Sequence, residues 1–210
     1  MKFLLATFLI LVGSLPIANA KTVNIPQEHI SFDIPDGWSE LPKQGMLYAA
    51  GDDAKTSEVV ILKLDNRENR VIDADYVKGV KEGMTSQADN IRATVEFSSE
   101  GPVTLNGVPT YQVQSKMTFP NLRISYQRIY PIAANGHIYA LTLQSMDPGM
   151  DAEFQSIANS FKFDSSPTLP DPMRATLSYK IGQIIGTLLF LLAAFYFIKW
   201  VIRLGGRRKT

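Results

Sequence analysis

The sequence predicts an α+β fold, an antiparallel sheet covered by helices, followed by one C-terminal membrane helix. Three observations lead to this prediction. Runs of alternating apolar and polar residues are separated by turn residues, two segments carry apolar residues at helical spacing, and Ile181–Ile198 contains no charge over 18 residues. The order of the predicted elements is strands, a helix, further strands and a second helix, and this order is typical of α+β domains.

The first half of the domain contains three predicted strands. Ile30–Ile34 alternates apolar and polar residues, and the turn Pro35-Asp36-Gly37 ends it. We expect Trp38, just after this turn, to pack back on the core. Leu47–Ala50 and Val59–Leu64 are the next strands, separated by a polar turn.

Two helices are predicted. Asp73 is placed to cap the first one, and its apolar face is formed by Val77, Val80, Met84 and Ala88. The second begins at about Met150. Its apolar stripe comprises Met150, Phe154, Ile157, Ala158 and Phe161.

The second half of the domain is predicted to be a meander. Asn106-Gly107 and Asn135-Gly136 are hairpin turns, because both residues of such a turn adopt a positive φ that Asn and Gly tolerate. The strands around these turns and around Pro120-Asn121 are Ala93–Ser98, Tyr111–Phe119, Leu122–Ile132 and Ile138–Ser145. The aromatic residues of this meander are expected to form sheet core, and an excess on an open face would mark a partner or ligand site.

The first strand and its turn resemble a known family. Ile30–Trp38 is similar to the opening of PsbP-like domains, where an alternating strand runs into Pro-x-Gly-Trp, and Phe154–Phe163 is similar to their final helix. The resemblance covers about Ile30–Phe163. It implies a PsbP-like α+β fold and a small non-enzymatic binding or assembly domain. The membrane tail departs from the soluble photosystem members of that family, so no binding residue is carried over.

The two ends of the chain predict its location. Met1–Ala20 has one Lys, an apolar run and Ala18-Asn19-Ala20, which predicts a cleavable export signal. The helix at 172–204 is predicted to contain a membrane span at about 181–202, long enough for a hydrocarbon core of about 30 Å. Residues 21–164 form the exported domain, 165–171 a Pro-rich extended linker, and 205–210 a basic tail.

The basic residues after the span predict its orientation and its lipid contacts. By the positive-inside rule they place the C-terminus in the cytoplasm and the domain in the periplasm, at a bacterial inner membrane. The predicted anchor residues are Lys199, Trp200, Arg203, Arg207, Arg208 and Lys209. Gly182 and Gly186 form a GxxxG pair that would let two helices approach as a homodimer. The alternative is that glycine is simply common in membrane helices.

The composition excludes one class of partner. All 20 acidic residues lie between Lys21 and Ser178, against 14 basic ones, so the exported part is mildly acidic and does not suit nucleic acid. The chain has no Cys and no Asn-x-Ser/Thr sequon, which together with the short signal favours a bacterial envelope.

No catalytic, cofactor or metal motif stands out in the sequence. His29 and His137 are expected at the solvent edge, without a nucleophile elbow or a zinc pattern. Asp52-Asp53 fits a polar turn, and Asp73 with Asp75 fits a helix start, better than a calcium loop.

The sequence therefore predicts a non-catalytic interaction or assembly module whose partners are the bilayer and an envelope protein. The alternative is a binder of a small apolar or lipid ligand, and an enzyme is third. A closed cavity above about 300 Å³ lined by Phe, Tyr and Met would favour the ligand binder. An exposed apolar patch would favour a protein partner, and a buried His–carboxylate contact would favour an enzyme.

Overall fold

The computed structural model describes residues 20–41, 45–54 and 56–172 of the 210-residue chain. Two helices are named α1 (Ala74–Asn90) and α2 (Asp151–Ser160). The strands are β1 (Ala20–Ile25), β2 (Ile30–Pro35), β3 (Ser39–Glu40), β4 (Tyr48–Gly51), β5 (Ser57–Asp65), β6 (Thr94–Leu105), β7 (Val108–Thr118), β8 (Ile124–Ala134), β9 (His137–Ser145) and β10 (Lys162–Phe163).

The strands form two antiparallel sheets. The smaller has the order β1-β2-β10, and the larger has the order β3-β4-β5-β9-β8-β7-β6. The predicted α+β class is therefore confirmed.

The main core lies between the larger sheet and the layer formed by α2 and the smaller sheet. Successive residues of a strand point to opposite faces, so one face of β8 and β9 supplies Tyr130, Ile132, Tyr139 and Leu141 to this core. Phe154 and Ile157 of α2 cover them. Trp38 joins the same core and is 8% exposed, as expected.

The opposite face of the larger sheet is covered by α1 over β6 and β7. Here Met117 of β7 packs with Ala88 of α1, and Tyr111 packs with Ile138. Asp73 caps α1 as predicted, because its carboxylate accepts from the Tyr76 N–H at 2.8 Å.

Both Asn-Gly hairpins are confirmed. The φ angles are 45° and 86° at Asn106 and Gly107, and 52° and 74° at Asn135 and Gly136. This is the positive-φ pair that a two-residue hairpin of the primed type requires.

Several features of the strands differ from the prediction. β3 was not predicted, and β8 begins at Ile124 rather than at Leu122, which lies in the β7–β8 turn with a positive φ. β6 runs on to Leu105 through a bulge between Phe97 and Ser99, because an edge strand tolerates the Gly101-Pro102 pair. β1, which starts at Ala20, was not predicted; it pairs with β2 over its whole length.

A further difference is at the end of the second helix. Lys162–Phe163, placed in the helix by the family resemblance, instead forms β10 and pairs with β2. The helix stops because the Ser160 hydroxyl accepts from the Asp33 N–H and donates to the Ile157 carbonyl, while Phe161 turns extended into the core.

The predicted linker and Asp164, the residue before it, are hydrogen-bonded to the rest of the domain. The Asp164 N–H donates to the His29 carbonyl at 2.8 Å, and the Ser31 hydroxyl donates to the Asp164 carboxylate at 2.9 Å. Further on, Asn135 and Thr168 exchange two bonds, Asn135 N–H to Thr168 O at 2.7 Å and Thr168 N–H to Asn135 Oδ1 at 2.8 Å. The linker therefore follows the domain as far as the β8–β9 hairpin.

Within these described residues, no helix has the length and apolarity needed to cross a membrane. The predicted span, its anchor residues Lys199, Trp200, Arg203, Arg207, Arg208 and Lys209, and the pair Gly182 and Gly186 all lie outside them.

Candidate functional site

The two ends of the larger sheet are built differently. We call the end with Asn106-Gly107, Asn135-Gly136 and Thr168 the linker end. We call the opposite end the distal end; it comprises the β4–β5 turn, the β7–β8 turn and the residues after β9. The strand register places these three segments at the same end of the sheet. Ser57 at the start of β5 pairs with Ser145 at the end of β9, and Thr118 and Ile124 form the last pair before the β7–β8 turn.

A groove of about 560 Å³ lies at the distal end. Its described lining residues are Ala54, Thr56, Leu122, Arg123, Ile124, Tyr126 and Met146. Leu122 and Met146 are 83% and 44% exposed, so the groove opens to solvent rather than forming a closed cavity. This is closer to the exposed apolar patch expected for a protein partner than to an enclosed ligand pocket.

One wall of the groove is the turn between β7 and β8. The Phe119 N–H donates to the Arg123 carbonyl, and the Leu122 N–H donates back to the Phe119 carbonyl, both at 2.9 Å. Leu122 adopts φ 61°. The left-handed region costs a residue with a Cβ about 1–2 kcal/mol, and glycine is usual at this place in a three-residue hairpin loop. A leucine held there and exposed to water is unfavourable for folding, which makes it a candidate functional residue.

The other wall is fixed by side-chain bonds to the backbone. The Asp52 carboxylate accepts from the Thr56 N–H at 2.7 Å and from the Ser57 N–H at 3.1 Å. The Thr56 carbonyl then accepts from the Met146 N–H at 2.9 Å. Asp52 therefore has the turn role that the sequence predicts, and it holds Thr56 and Met146 in place beside the groove.

The chemistry of the groove suits binding. Tyr, Met and Arg are enriched in protein interfaces, and Tyr126, Met146 and Arg123 line this one. Arg123 makes no ion pair with any described residue. The described lining contains no histidine and no carboxylate.

A second polar cluster lies near the linker end. The Glu28 carboxylate contacts the Lys63 ammonium at 2.7 Å and accepts from the Tyr139 hydroxyl at 2.8 Å, and its side chain is 10% exposed. Burial raises the pKa of Glu28, but the bonds from Lys63 and Tyr139 and the nearby charges outweigh it, so the net pKa lies below the ordinary 4.5. Burial, reinforced by Glu28, also raises the pKa of the Tyr139 hydroxyl, which keeps it a donor. This cluster ties the start of β2 to the larger sheet.

The two histidines differ in their surroundings. His29 is exposed, as expected. His137 is half-buried, its Nδ1 has no partner among the described residues, and its ring meets Tyr139 edge-on at 6.1 Å. The expectation for His137 is therefore corrected: the strand register turns it inward. Both hydrogen bonds of the nearby Glu28 carboxylate go to Lys63 and Tyr139, and no described serine is bonded to His137, so no triad is formed.

Arg128 forms a polar contact that the sequence did not reveal. It is 8% exposed on the core face of β8, with its guanidinium 2.9 Å from the Asp151 carboxylate and 3.2 Å from the Gln155 side-chain oxygen. Gln114 lies opposite Arg128 in the register of β7 and β8. An arginine in an alternating strand is ordinarily expected to face solvent. Here it secures the first turn of α2 to the sheet.

No group of three or more His, Asp or Glu side chains suited to a metal ion occurs in the described part of the chain.

Comparisons with known proteins identify the fold. No protein-family model and no curated protein sequence matches this chain. Cyanobacterial PsbP from Synechocystis sp. PCC 6803 is 13% identical, with a TM-score of 0.56 over 72% of this chain and 96% of that protein. The Ran-binding protein Mog1p of Saccharomyces cerevisiae is 10% identical, with a TM-score of 0.50 over 70% of this chain and 96% of its own. A Bacteroides thetaiotaomicron protein is 10% identical, with a TM-score of 0.50 over 70% of this chain and half of its own. At these identities the likeness shows a PsbP-like fold alone.

Proposed function

We propose that this chain is a single-pass protein of a bacterial inner membrane whose periplasmic PsbP-like domain is a non-catalytic interaction or assembly module. The observation that carries the proposal is the structure of the distal end. It presents Leu122 in a strained conformation, 83% exposed, beside an open groove with both apolar and polar lining residues. A surface that is unfavourable for the isolated domain is most simply explained by a partner that covers it.

The location is supported by the sequence and by the path of the linker. The predicted export signal and the uncharged run Ile181–Ile198 support a location of the domain outside the cytoplasm. Thr168 is bonded to Asn135 at the linker end, and Pro172 lies four residues on, at most about 14 Å away. The 11 residues of β8 separate the two ends of the sheet by roughly 36 Å. A tether leaving from the linker end would therefore direct the distal end away from the bilayer.

A small apolar or lipid ligand is the second candidate, because the groove volume falls within the range of ligand sites. The open mouth favours a protein segment over a ligand that must be enclosed. A ligand drawn from the bilayer would also have to reach the end of the domain that this topology places farthest from it.

Two measurements on the full-length protein in cells test the proposal. Protease added from the periplasmic side is expected to digest the domain and spare a tag placed after Thr210. In-situ chemical crosslinking followed by purification is expected to yield a defined protein adduct. A digested tag beside a protected domain would refute the topology, and the absence of any adduct would refute the interaction role.

A further inference from the structure

We infer that the distal groove takes a protein segment in which an apolar side chain is followed or preceded by a carboxylate. The inference rests on the proposed function and deepens it by naming the chemistry of the partner. It follows from three properties of the described lining: its apolar side chains, the charge of Arg123 and the hydrogen bonds that hold its two walls.

The apolar contact comes from three elements. Leu122 lies in the β7–β8 turn, Ile124 and Tyr126 follow it on β8, and Met146 follows β9. Ile124 and Tyr126 are half-buried and Met146 is 44% exposed, so each keeps apolar surface facing the groove. An aliphatic or aromatic side chain that enters would be removed from water, which is the usual anchor of a peptide in a groove.

The charge comes from Arg123. It is the one charged residue in the described lining, and it makes no ion pair with any described residue. The nearby Asp52 carboxylate accepts from the Thr56 and Ser57 backbone and from the Thr56 hydroxyl at 2.5 Å, so its position is fixed within its own turn. A guanidinium beside apolar side chains in the lining is complementary to a carboxylate adjacent to the anchor.

The shape is fixed before binding. The turn that carries Leu122 and Arg123 is closed by two backbone bonds, and the opposite wall is held by Asp52 and by the bond between Met146 and Thr56. A preformed site loses little conformational entropy when it is occupied, so a short segment suffices.

Selection of phage-displayed random short peptides tests this inference. The full-length chain is presented in phosphatidylcholine nanodiscs, with counter-selection on empty nanodiscs. We expect enriched peptides to place Asp or Glu beside a Leu, Ile, Phe or Trp, and to bind an Arg123→Glu variant at least about tenfold more weakly. Selection on Arg123→Glu should instead enrich Lys or Arg beside the same anchor.

A matched variant and a negative control make the result decisive. Arg92 is also exposed, has a positive φ of 56° and lies at the distal end, but it does not line the groove. Arg92→Glu should leave the acidic preference unchanged, and Leu122→Gln should abolish enrichment. Peptides without a charge preference, peptides indifferent to Arg123→Glu, or no enrichment above Leu122→Gln would each overturn the inference. If crosslinking in cells yields adducts but the peptide selection fails, the interaction role stands and only the proposed acidic and apolar partner segment is refuted. If crosslinking yields no adducts, the interaction role itself is refuted.

Discussion

The linker end and the distal end of the larger sheet close their hairpins by different means. At the linker end, Asn106 donates to the carbonyls of Asn159 and Phe161, both at 2.7 Å, and Asn135 is bonded to Thr168. Both turns use the residues that positive φ favours, and both hold other parts of the chain in place. At the distal end, the comparable position is taken by Leu122, which is exposed and makes only local turn bonds. The linker end is built for stability, and the distal end retains a strained apolar residue that stability does not require.

The largest expected effect is a difference in partner binding between a variant at the distal end and a variant at the linker end. Leu122→Gln should reduce the amount of protein partner that co-purifies after crosslinking by about 30-fold, the loss typical of an interface hot spot of about 2 kcal/mol. Leu64→Gln is the matched control, because Leu64 is 49% exposed near the linker end. It should change capture less than twofold, and equal losses from both variants would remove the distinction between the ends.

The next effect concerns the Glu28 cluster. Glu28→Gln should lower the free energy of unfolding by about 2 kcal/mol at pH 7, since it removes the charged acceptor of two bonds. The folded pKa of Glu28 is lowered, so its stabilisation is present above 4.5 and is lost as pH falls through the folded pKa. Denaturant unfolding from pH 7 to pH 3 should show the two proteins converging.

An exposed ion pair provides the control for this measurement. Glu68 contacts Arg70 at 2.6 Å, but its side chain is 65% exposed. Glu68→Gln should change stability by less than about 0.5 kcal/mol. A Glu28 effect that is independent of pH would show that packing, rather than charge, accounts for it.

A smaller effect tests the bond between the linker and the β8–β9 hairpin. Asn135→Gly preserves the positive φ and removes the side-chain acceptor of the Thr168 N–H, so it should cost about 1 kcal/mol. Thermal melting of a periplasmic Lys21–Asp171 fragment measures this cost. In a Lys21–Asp164 fragment, which lacks Thr168, the same substitution should have almost no effect. Equal losses in both fragments would contradict a stabilising role for the linker.

The smallest effect has the opposite sign. Leu122→Gly relieves the positive-φ strain of about 1–2 kcal/mol at the expense of backbone entropy, so the protein should become up to about 1 kcal/mol more stable. Denaturant unfolding checks this, with Leu64→Gly as the destabilised counterpart, because Leu64 is paired with Ile138 near the end of β5. A destabilised Leu122→Gly protein would mean that Leu122 stabilises the fold, and it would contradict the assignment of Leu122 as a binding residue.

The sequence predicted the elements whose patterns are local. The alternation of Ile30–Ile34, the Asp73 cap and the two Asn-Gly turns each specify a conformation through neighbouring residues, and all are confirmed. The placement of Lys162–Phe163 in the second helix was wrong, and β1 and β3 were not foreseen. Two residues of β10 carry too little pattern to outweigh the adjacent helix, and β1 begins at the last residue of the predicted export signal.

The candidate site could not be predicted because it depends on contacts between distant segments. The groove joins residues near positions 54, 122 and 146, which only the pairing of β5, β9 and β8 brings together. A leucine two residues after Pro120 gives no sign in the sequence of its positive φ or its exposure. The burial of Arg128 and the inward position of His137 depend in the same way on strand register, and the expectation for His137 was wrong.

Site-specific photo-crosslinking in living cells tests the central claim most directly. A photoreactive residue is placed at position 122 in one full-length protein and at position 64 in another, and adducts are compared after irradiation. The account predicts a discrete protein adduct from position 122 and none of comparable yield from position 64. Adducts of equal yield from both positions, or an adduct from position 64 alone, would contradict the assignment of the distal end as the docking surface.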